Sequence, residues 1–249
     1  MDLFDLTGRR ALITGASRGI GHALAKGLAA AGAEVVLNGR NEAALEEAAA
    51  AIPGARTLAF DVADRAAVSA AVTLFEEEVG AIDILVNNAG VQHRAPLEAF
   101  PPEEFARLME INVTGVFNVS QCVAPHMLAR GRGRIINVAS VNSMLARPTI
   151  APYTATKGAV ANLTKGMATD WGRRGLNCNA IAPGYFETEL NRALRDDPEF
   201  HGWLQGRVPQ GRWGQVDELA GACIFLASDA ASYVNGLTLY VDGGLTASV

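Results

Sequence analysis

The chain lacks a hydrophobic run long enough to cross a membrane, and it lacks an extended run of lysine and arginine. A transmembrane helix needs about 20 successive apolar residues, and a surface that binds nucleic acid or anionic lipid is usually basic. This sequence has 21 basic and 26 acidic residues, for a net charge of −5. We therefore expect no membrane span and no nucleic-acid partner, and we expect a small molecule as the ligand.

Cysteine and histidine are scarce, with three cysteines and four histidines. Cys122, Cys178 and Cys223 are odd in number and far apart, which argues against a disulfide framework and a CxxC metal motif. The histidines show no HxxxH spacing, so no metal site is predicted. The N-terminal segment MDLFDLTGRR carries acids where a secretory signal needs a basic start and an apolar run, so we expect a cytoplasmic protein.

Short runs rich in valine, isoleucine and leucine alternate with longer segments of helical pattern. The predicted strands are RALIT (10–14), AEVVLN (33–38), RTLAF (56–60), DILVN (83–87), RIINVAS (134–140), LNCNAIA (176–182) and LTLYVD (237–242). The predicted helices cover residues 19–31, 41–51, 64–78, 102–129, 152–173 and 216–227. Asn41 and Asp64 are placed to cap helix starts, and Gly32 is placed to end the first helix.

This alternation is typical of a parallel sheet covered on both faces. We therefore predict one α/β domain over residues 1–249, a Rossmann fold with a doubly wound seven-stranded parallel sheet. Residues 184–214 break the alternation, because they are rich in arginine, proline, glycine and aromatic residues. They follow the sixth predicted strand, beside the carboxyl ends of the sheet, where ligands bind in such folds. We expect this segment to cover the substrate.

The segment TGASRGIG, residues 14–21, follows the first predicted strand and opens the first predicted helix. In this context Gly15 permits a tight turn, Gly19 lets the backbone approach a pyrophosphate, and Gly21 allows the helix to pack closely on the strand. The free N–H groups at the start of a helix attract an anion. A glycine-rich loop alone would also fit an ordinary turn, but its position after the first strand predicts a dinucleotide-binding site.

Tyr153 and Lys157 are four residues apart in a predicted helix, so both side chains project from one face. Tyrosine is a poor base near neutral pH, but a neighbouring ammonium group favours the phenolate and lowers its pKa. Ser140 lies at the end of the fifth predicted strand, where its hydroxyl can hydrogen-bond a substrate carbonyl. These three residues predict a general acid/base site.

Together these motifs resemble the short-chain dehydrogenase/reductase family. The matching segments are TGASRGIG, Asp61, NNAG (87–90), Asn112, Ser140, YTATK (153–157), PGYFET (183–188) and VDGG (241–244). The resemblance implies that Tyr153 transfers a proton, that Lys157 also holds a nicotinamide ribose, and that Ser140 orients the substrate. It further implies that Asn112 anchors a water in a proton relay. The implied cofactor residues are Gly15, Ser17, Arg18, Gly19, Ile20, Gly21, Asp61, Val62, Asn88, Ala89, Gly90, Tyr153, Lys157, Pro183, Gly184 and Thr188.

The second predicted strand ends in Asn38, Gly39 and Arg40, within VVLNGR (35–40). The family resemblance assigns Gly39 to the position where an acid binds the ribose hydroxyls of NAD and repels a 2′-phosphate. Here the acid is absent, and Arg18 and Arg40 can flank a 2′-phosphate, with the neutral Asn38 able to hydrogen-bond. We therefore expect NADP(H) in preference to NAD(H). A solvated Arg40 without a ligand is the alternative.

Segments outside the catalytic motifs resemble the gluconate 5-dehydrogenases, also called 5-keto-D-gluconate reductases. They include VVLNGRN, NNAGVQHRAPLEAF, LARPTIAPYTATKGAV, LTKGMATDWGRRGL and IAPGYFETEL. The resemblance implies interconversion of D-gluconate and 5-keto-D-gluconate, and a pocket for a sugar acid needs a cation and hydrogen-bonding groups. The candidate substrate residues are Gln92, Arg94, Asn142, Met144 and Tyr185. For Arg94, a surface or intersubunit salt bridge is an equal alternative.

Other functions stay open. Asn142, Met144 and His93 depart from the pattern of the gluconate enzymes, and loss of a charge from a pocket can change specificity. The first alternative is a reductase of 3-oxoacyl thioesters or of another polyol, with a basic patch for an acyl carrier. That patch would comprise Arg192, Arg195, Arg207 and Arg212. The second is a non-catalytic dinucleotide-binding protein. The family resemblance also implies a homotetramer.

Overall fold

The computed structural model describes residues 3–248, and within this range seven strands form one parallel sheet. The strands are β1 (Arg10–Ile13), β2 (Glu34–Gly39), β3 (Arg56–Ala59), β4 (Ile84–Asn87), β5 (Gly133–Val138), β6 (Leu176–Pro183) and β7 (Thr238–Val241). Their order in the sheet is β3-β2-β1-β4-β5-β6-β7. The order reverses between β1 and β4, and such a switch point opens a crevice for a ligand at the carboxyl edge of the sheet.

Helices cover both faces of the sheet. They are α1 (Gly19–Ala30), α2 (Glu42–Ala50), α3 (Arg65–Glu78), α4 (Pro102–Met109), α5 (Gly115–Arg130), α6 (Ala151–Trp171), α7 (Arg192–Arg195), α8 (Pro198–Arg207) and α9 (Ala220–Ala227). Single 3₁₀ turns lie at Leu97–Ala99, Val141–Ser143, Gly172–Arg174, Glu189–Asn191, Val216–Leu219 and Asp229–Ala231. Of the helices in the described range, none is long and apolar enough to cross a membrane.

Local sequence signals set several helix boundaries. The side-chain oxygen of Asn41 accepts a hydrogen bond from the N–H of Ala44 at 3.0 Å, and that of Asp64 accepts one from Ala67 at 3.0 Å. These bonds satisfy free N–H groups at the helix starts. Gly32 follows α1 with a φ of +100°, a conformation that favours glycine. The predicted caps are confirmed.

The predicted doubly wound sheet is confirmed, and the strand boundaries differ by one or two residues. The predicted helical region 102–129 differs more, because one turn of π-helix, Glu110–Thr114, separates α4 from α5. A π turn holds one residue more than an α turn and changes the direction of the side chains that it carries. Residues 184–214 interrupt the regular alternation as predicted, and they form turns and the short helices α7 and α8.

The core lies in two layers, one on each face of the sheet. Buried side chains of α1, α2 and α9 pack on one face, and those of α3, α5 and α6 pack on the other. Full burial of an aliphatic side chain stabilises the fold by about 1.5–3 kcal/mol. Because both faces are covered, all residues of β4 are buried, as the continuous hydrophobic run predicted.

Polar side chains inside the second layer fix α6 against the sheet. The amide nitrogen of Asn137, on β5, donates to Thr164 Oγ1, on α6, at 2.9 Å. The amide nitrogen of Asn87, on β4, donates to Asn137 Oδ1 and to Ser120 Oγ, both at 2.9 Å. All four side chains are buried, where an unmade hydrogen bond is costly. The network therefore helps to set the position of the helix that carries the predicted acid/base pair.

We expect Asn137→Ala to lower the free energy of unfolding by about 1–3 kcal/mol, because it takes a partner from the buried side chains of Asn87 and Thr164. Chemical denaturation followed by circular dichroism measures this. Asn162→Ala is the matched control, because Asn162 is exposed and accepts a hydrogen bond from Lys165 only at the surface. It should change stability by less than about 0.5 kcal/mol. An unchanged value for Asn137→Ala would contradict the role given to the network.

Candidate active site

A cavity of about 660 Å³ opens at the carboxyl edge of the sheet, within the range of about 300–1,000 Å³ that small-molecule sites occupy. The predicted cofactor residues that line it are Gly15, Ser17, Arg18, Gly19, Ile20, Gly21, Asn38, Gly39, Arg40, Asp61, Val62, Asn88, Ala89, Gly90, Pro183, Gly184 and Thr188. The predicted catalytic and substrate residues that line it are Ser140, Tyr153, Lys157, Gln92, Arg94, Asn142 and Tyr185. The fold thus brings residues from six strand ends into one cavity.

The glycine loop after β1 is fastened to the loop after β4. The amide nitrogen of Asn88 donates to the carbonyl oxygens of Thr14 at 2.9 Å and Gly15 at 3.0 Å. Thr14 Oγ1 accepts from the backbone N–H groups of Asn88 and Ala89, both at 3.0 Å. These four bonds hold the two loops together at the switch point of the sheet.

The three glycines of the loop have different roles. A Cβ atom at Gly15 would lie 2.8 Å from Ala89 Cα, and one at Gly21 would collide with the Asn88 amide. Both positions therefore require glycine for close packing. Gly19 has a φ of +57° and open space where a Cβ would point. This open cradle at the start of α1, where free N–H groups collect, fits a pyrophosphate.

Two arginines border the cavity near the end of β2. The side chains of Arg18 and Arg40 are 81% and 70% exposed. Arg18 Nη1 lies 3.3 Å from Glu189 Oε2, and Arg40 Nη1 lies 3.6 Å from Asp61 Oδ2. Exposed ion pairs of this kind contribute only about 0–1 kcal/mol. A phosphate can therefore compete with the carboxylates for both guanidinium groups.

The amide nitrogen of Asn38 is engaged within the sheet. It is 1% exposed, and its amide nitrogen donates to the carbonyl oxygens of Leu58 at 2.9 Å and Phe60 at 3.1 Å. Both bonds join the end of β2 to the end of β3, so both amide hydrogens already have backbone partners. Asn38 therefore shapes the cavity wall, and its role beside a 2′-phosphate stays a prediction.

Ser140, Tyr153 and Lys157 meet at the inner end of the cavity. Ser140 Oγ accepts a hydrogen bond from the N–H of Asn142 at 3.1 Å, and Ser140 lies close enough to Tyr153 to lower the pKa of its phenol. Lys157 Nζ donates to the carbonyl oxygen of Val138 at 2.7 Å and lies 5.7 Å from the centre of the Tyr153 ring. The spacing of four residues on α6 therefore places both side chains beside the end of β5.

Asn112 and Met144 lie outside the group of described residues that line the cavity. Asn112 Oδ1 accepts from the N–H of Val91 at 2.8 Å, and its amide nitrogen donates to the Val91 carbonyl at 2.9 Å and to Thr156 Oγ1 at 3.2 Å. Asn112 thus fastens the loop after β4 to α6, and its role as a water ligand stays a prediction. Met144 is 64% exposed, and its assignment as a substrate residue stays a prediction.

Residues 184–214 bring an aromatic cluster to the catalytic end of the cavity. The ring of Tyr185 contacts those of Phe200, Trp203 and Trp213 edge to face, with centroid distances of 5.4, 6.0 and 5.7 Å. Such contacts stabilise a pair by about 0.5–1.5 kcal/mol beyond burial. Because Tyr185 also lines the cavity, the cluster fixes one wall of it.

Two charged residues that line the cavity were not predicted, Arg147 and Glu189. Arg147 belongs to LARPTIAPY, six residues before Tyr153, and Glu189 directly follows the PGYFET motif. A cation just before the catalytic helix was a usable signal for Arg147. Glu189 had no such signal, because its approach to Arg18 depends on the path of the segment after β6.

Comparison with known proteins agrees with this geometry. A family model described as enoyl-(acyl carrier protein) reductase matches residues 15–246. Gluconate 5-dehydrogenase of Gluconobacter oxydans (strain 621H) is 60% identical over 252 residues, which cover 100% of this chain and 98% of that protein. The chain belongs to the short-chain dehydrogenase/reductase family.

Two further relatives of this short-chain dehydrogenase/reductase are similar over their whole length. The 5-keto-D-gluconate 5-reductase of Escherichia coli (strain K12) is 45% identical over 252 residues, covering 100% of this chain and 99% of that protein. The crystal structure of a gluconate 5-dehydrogenase from Burkholderia cenocepacia J2315, in complex with NADP and tartrate, matches with a TM-score of 0.98 and 62% identity. That match covers 100% of this chain and 99% of the other, so it includes residues 184–214.

Burial has the largest effect on the pKa values of the predicted acid/base pair, Tyr153 and Lys157, in this short-chain dehydrogenase/reductase. It raises the pKa of Tyr153 to about 12, although the hydrogen bond with Ser140 and the charge of Arg94 act to lower that pKa. Burial also lowers the pKa of Lys157 to about 8. The expectation that Lys157 brings the pKa of Tyr153 below its usual value is wrong in this structure, because lost hydration dominates. The phenol therefore keeps its proton at neutral pH.

The residues around the cavity fit a nicotinamide dinucleotide. The hydroxyl oxygen of Thr188 is buried and has no hydrogen-bond partner within the described residues. Buried hydroxyl groups almost always have a partner, and a carboxamide would supply one. The cradle at Gly19 would hold the phosphates. Thr188, Lys157 and the glycine loop are therefore the residues that would hold the cofactor of this family.

Lys157 should make stability depend on pH between about pH 8 and pH 10. The folded pKa of Lys157 is about 8, whereas an unfolded lysine has a pKa of about 10.4. In this window the unfolded chain binds more protons, so stability rises with pH. The free energy of unfolding of the wild type, relative to Lys157→Met, should therefore increase by up to about 2 kcal/mol in denaturation curves across the window.

Lys165→Met is the matched control, because Lys165 is an exposed lysine of the same helix. The difference in free energy of unfolding between Lys165→Met and the wild type should stay constant between about pH 8 and pH 10. The raised pKa of Tyr153 acts in the opposite direction only above about pH 10, so it does not disturb the comparison. If the difference in free energy of unfolding between the wild type and Lys157→Met did not change with pH, the lowered pKa of Lys157 would be refuted.

Proposed function

We propose that this protein is an NADP(H)-dependent oxidoreductase that interconverts D-gluconate and 5-keto-D-gluconate. The observation that carries the proposal is the meeting of the Ser140, Tyr153 and Lys157 side chains with the half-buried cation Arg94 in one cavity. A phenol for proton transfer beside a cation suits a hydroxy acid. The names of the relatives from Gluconobacter oxydans and Escherichia coli support the same substrate pair. Tartrate, present with the Burkholderia cenocepacia relative, is also a hydroxy acid.

The reaction transfers a hydride and a proton, and different groups handle the two. A bound nicotinamide would supply the hydride chemistry at the carbon that carries the alcohol or the ketone. The Tyr153 phenol donates the proton to the ketone oxygen in reduction, and its phenolate takes the proton from the alcohol in oxidation. Ser140 hydrogen-bonds the same oxygen and orients it. Lys157 lies near the Tyr153 ring and stabilises the phenolate while the proton is away.

Tyr153→Phe should reduce kcat for 5-keto-D-gluconate reduction by about 10²- to 10⁴-fold, the usual contribution of general acid catalysis. The Kd for NADPH should change little, because the glycine loop and the arginines remain. Initial rates from NADPH absorbance and a fluorescence titration of NADPH measure the two quantities. Tyr233→Phe, at a fully exposed tyrosine, should keep the wild-type rate. If Tyr153→Phe kept most of its activity, another group would have to supply the proton.

The preference for NADP(H) rests on the corner formed by Gly39, Arg18 and Arg40. The two exposed guanidinium groups border this corner, and no side chain projects from Gly39. A 2′-phosphate there would make charge-assisted hydrogen bonds, which contribute about 1.5–3 kcal/mol each. Solved relatives with bound NADP support this preference.

Gly39→Asp should lower the NADP/NAD ratio of kcat/KM by about 10- to 100-fold, because a carboxylate repels the 2′-phosphate and binds ribose hydroxyls. The backbone there tolerates a side chain, since a Cβ at Gly39 would lie 3.3 Å from the flexible end of Leu45. Initial rates with both cofactors give the ratio. Ala70→Asp, which adds an exposed acid on α3, is the matched control and should leave the ratio unchanged. If Gly39→Asp and Ala70→Asp had the same NADP/NAD ratio of kcat/KM, Gly39 would have no role in cofactor preference.

The alternative substrate class, acyl-carrier thioesters, receives little support from the surface. Its proposed basic patch is largely neutralised, because Arg192, Arg195 and Arg212 each lie within ion-pair distance of a carboxylate. Arg207 instead donates hydrogen bonds to Ser248. A parallel assay with 5-keto-D-gluconate and acetoacetyl thioesters separates the two functions, and activity confined to the thioesters would favour the alternative. Binding of NADPH without any turnover would favour the non-catalytic alternative.

The assembly and location of the enzyme belong to the same proposal. We infer a cytoplasmic homotetramer, as the family resemblance implies. Apolar side chains on surface helices support an assembly, because Phe105 on α4 and Phe117 on α5 are 46% and 43% exposed. Contact between subunits would remove these rings from water.

A further inference from the structure

Two arginines face the catalytic end of the cavity from different loops. Arg94 lies in the loop after β4, and Arg147 lies in the loop before α6. The N–H of Ala95 donates to the carbonyl oxygen of Thr149 at 3.1 Å, which joins the two loops directly beside the arginines. Thr149 has a φ of +70°, the one positive value at a non-glycine residue in the described range. Such backbone strain is kept where the surroundings fix it, so the two loops are held in a defined relation.

The catalytic end of the cavity is positive and uncompensated. Within the described residues, neither Arg94 nor Arg147 forms an ion pair with a carboxylate. The two acids that line the cavity, Asp61 and Glu189, contact Arg40 and Arg18 at the cofactor end. A half-buried cation without a counterion is costly, and an anionic ligand would remove that cost.

The two guanidinium groups also act on each other. Burial lowers the pKa of Arg94, the positive charge of Arg147 lowers it further, and Tyr185 and Tyr153 act in the opposite direction. The charge of Arg147 is therefore felt at Arg94, and Arg94 is close to the catalytic Tyr153. An anion placed between the two cations would lie beside the reacting centre without occupying it.

Arg147 also contacts an aromatic ring on α8. Its guanidinium carbon lies 5.2 Å from the centre of the Phe200 ring, on α8, a distance at which a cation and an aromatic face attract. Phe200 in turn contacts Tyr185 at 5.4 Å between ring centroids. Arg147 therefore connects the loop before α6 to the aromatic cluster of residues 184–214, and its charge is positioned before any ligand arrives.

We infer that Arg147 is a specificity-determining residue that, together with Arg94, binds the carboxylate of the substrate and so selects sugar acids over uncharged sugars and polyols. This inference rests on the proposed function, because it concerns the carboxylate end of gluconate and 5-keto-gluconate. Two guanidinium groups can share one carboxylate through several charge-assisted hydrogen bonds. The carboxylate carbon, C1, is separated from the reacting C5 by three carbons, so the cations that bind it belong in the same cavity as Tyr153 but away from its hydroxyl.

The test compares substrates that differ only at the carboxylate. 5-Keto-D-gluconate carries a carboxylate where L-sorbose carries a hydroxymethyl group, and both present the same ketone. Arg147→Met should lower kcat/KM for 5-keto-D-gluconate by about 10- to 100-fold, the usual effect of losing one charge-assisted contact. The loss should lie mainly in KM. The much slower reaction of L-sorbose and the KM for NADPH should stay nearly unchanged, and Arg147→Lys should restore part of the loss.

Arg173→Met is the matched control, because Arg173 is an exposed arginine beyond the far end of α6. It should behave as the wild type with both substrates. If Arg147→Met left the preference for 5-keto-D-gluconate over L-sorbose unchanged while melting like the wild type, the inference would be overturned. A wild type that reduces neither ketone would instead overturn the proposed function.

A binding measurement distinguishes failure of the inference about Arg147 from failure of the proposed function. D-gluconate and D-glucitol are titrated by calorimetry into the NADPH-loaded Tyr153→Phe protein, in which no turnover is needed. D-gluconate should bind more tightly than D-glucitol, and the addition of Arg147→Met should abolish most of the difference. Equal binding of the two compounds before that addition, or an unchanged difference after it, would refute the carboxylate site even in an active enzyme.

Discussion

The hydrogen bonds between Thr14 and Asn88 join β1 to β4 where the strand order reverses. A crevice opens at such a point because the chain leaves the two strands toward opposite faces of the sheet. Without a bond across the crevice, the glycine loop would lose the wall on which Gly15 and Gly21 pack. β4 also helps to place α6, because Asn87 on β4 donates to Asn137 on β5, which in turn donates to Thr164 on α6. Cofactor cradle and acid/base group therefore depend on one set of interstrand contacts.

Charge is distributed unevenly along the cavity. Carboxylates accompany the arginines at the cofactor end, where solvent access keeps the ion pairs weak and exchangeable. At the catalytic end, burial withholds solvent from Tyr153 and Lys157 and moves their pKa values toward the neutral forms. A folded chain that retains a buried lysine gives up stability for it. The compensation is a phenol that keeps its proton at neutral pH, beside two arginines that have no carboxylate partner in the described residues.

The strands, the glycine loop and the Tyr153–Lys157 pair could be predicted, because each depends on spacing within a few residues. The hydrogen bonds of the Asn38 side chain could not be predicted, since its partners Leu58 and Phe60 lie on β3 and directly after it, and their position follows from strand register. The sequence shows a cation just before α6 at Arg147, but the place of its side chain in the cavity depends on the positive φ of Thr149 and on the hydrogen bond from Ala95 to Thr149. The sequence predicted a lowered pKa for Tyr153, whereas the structure raises it. The spacing of Tyr153 and Lys157 indicates only a neighbouring charge, but burial depends on the whole fold.

The π turn at Glu110–Thr114 means that the number of residues between α4 and α5 affects the geometry of the site. Each residue of an α-helix rotates its successor by about 100°, and the π turn holds one residue more than a regular turn. Deletion of one residue here would restore a regular helix and carry Asn112 away from Val91 and Thr156, which it joins. The exposed side chains of the π turn can therefore vary. Its length is fixed, because Asn112 must reach Val91 in the loop after β4.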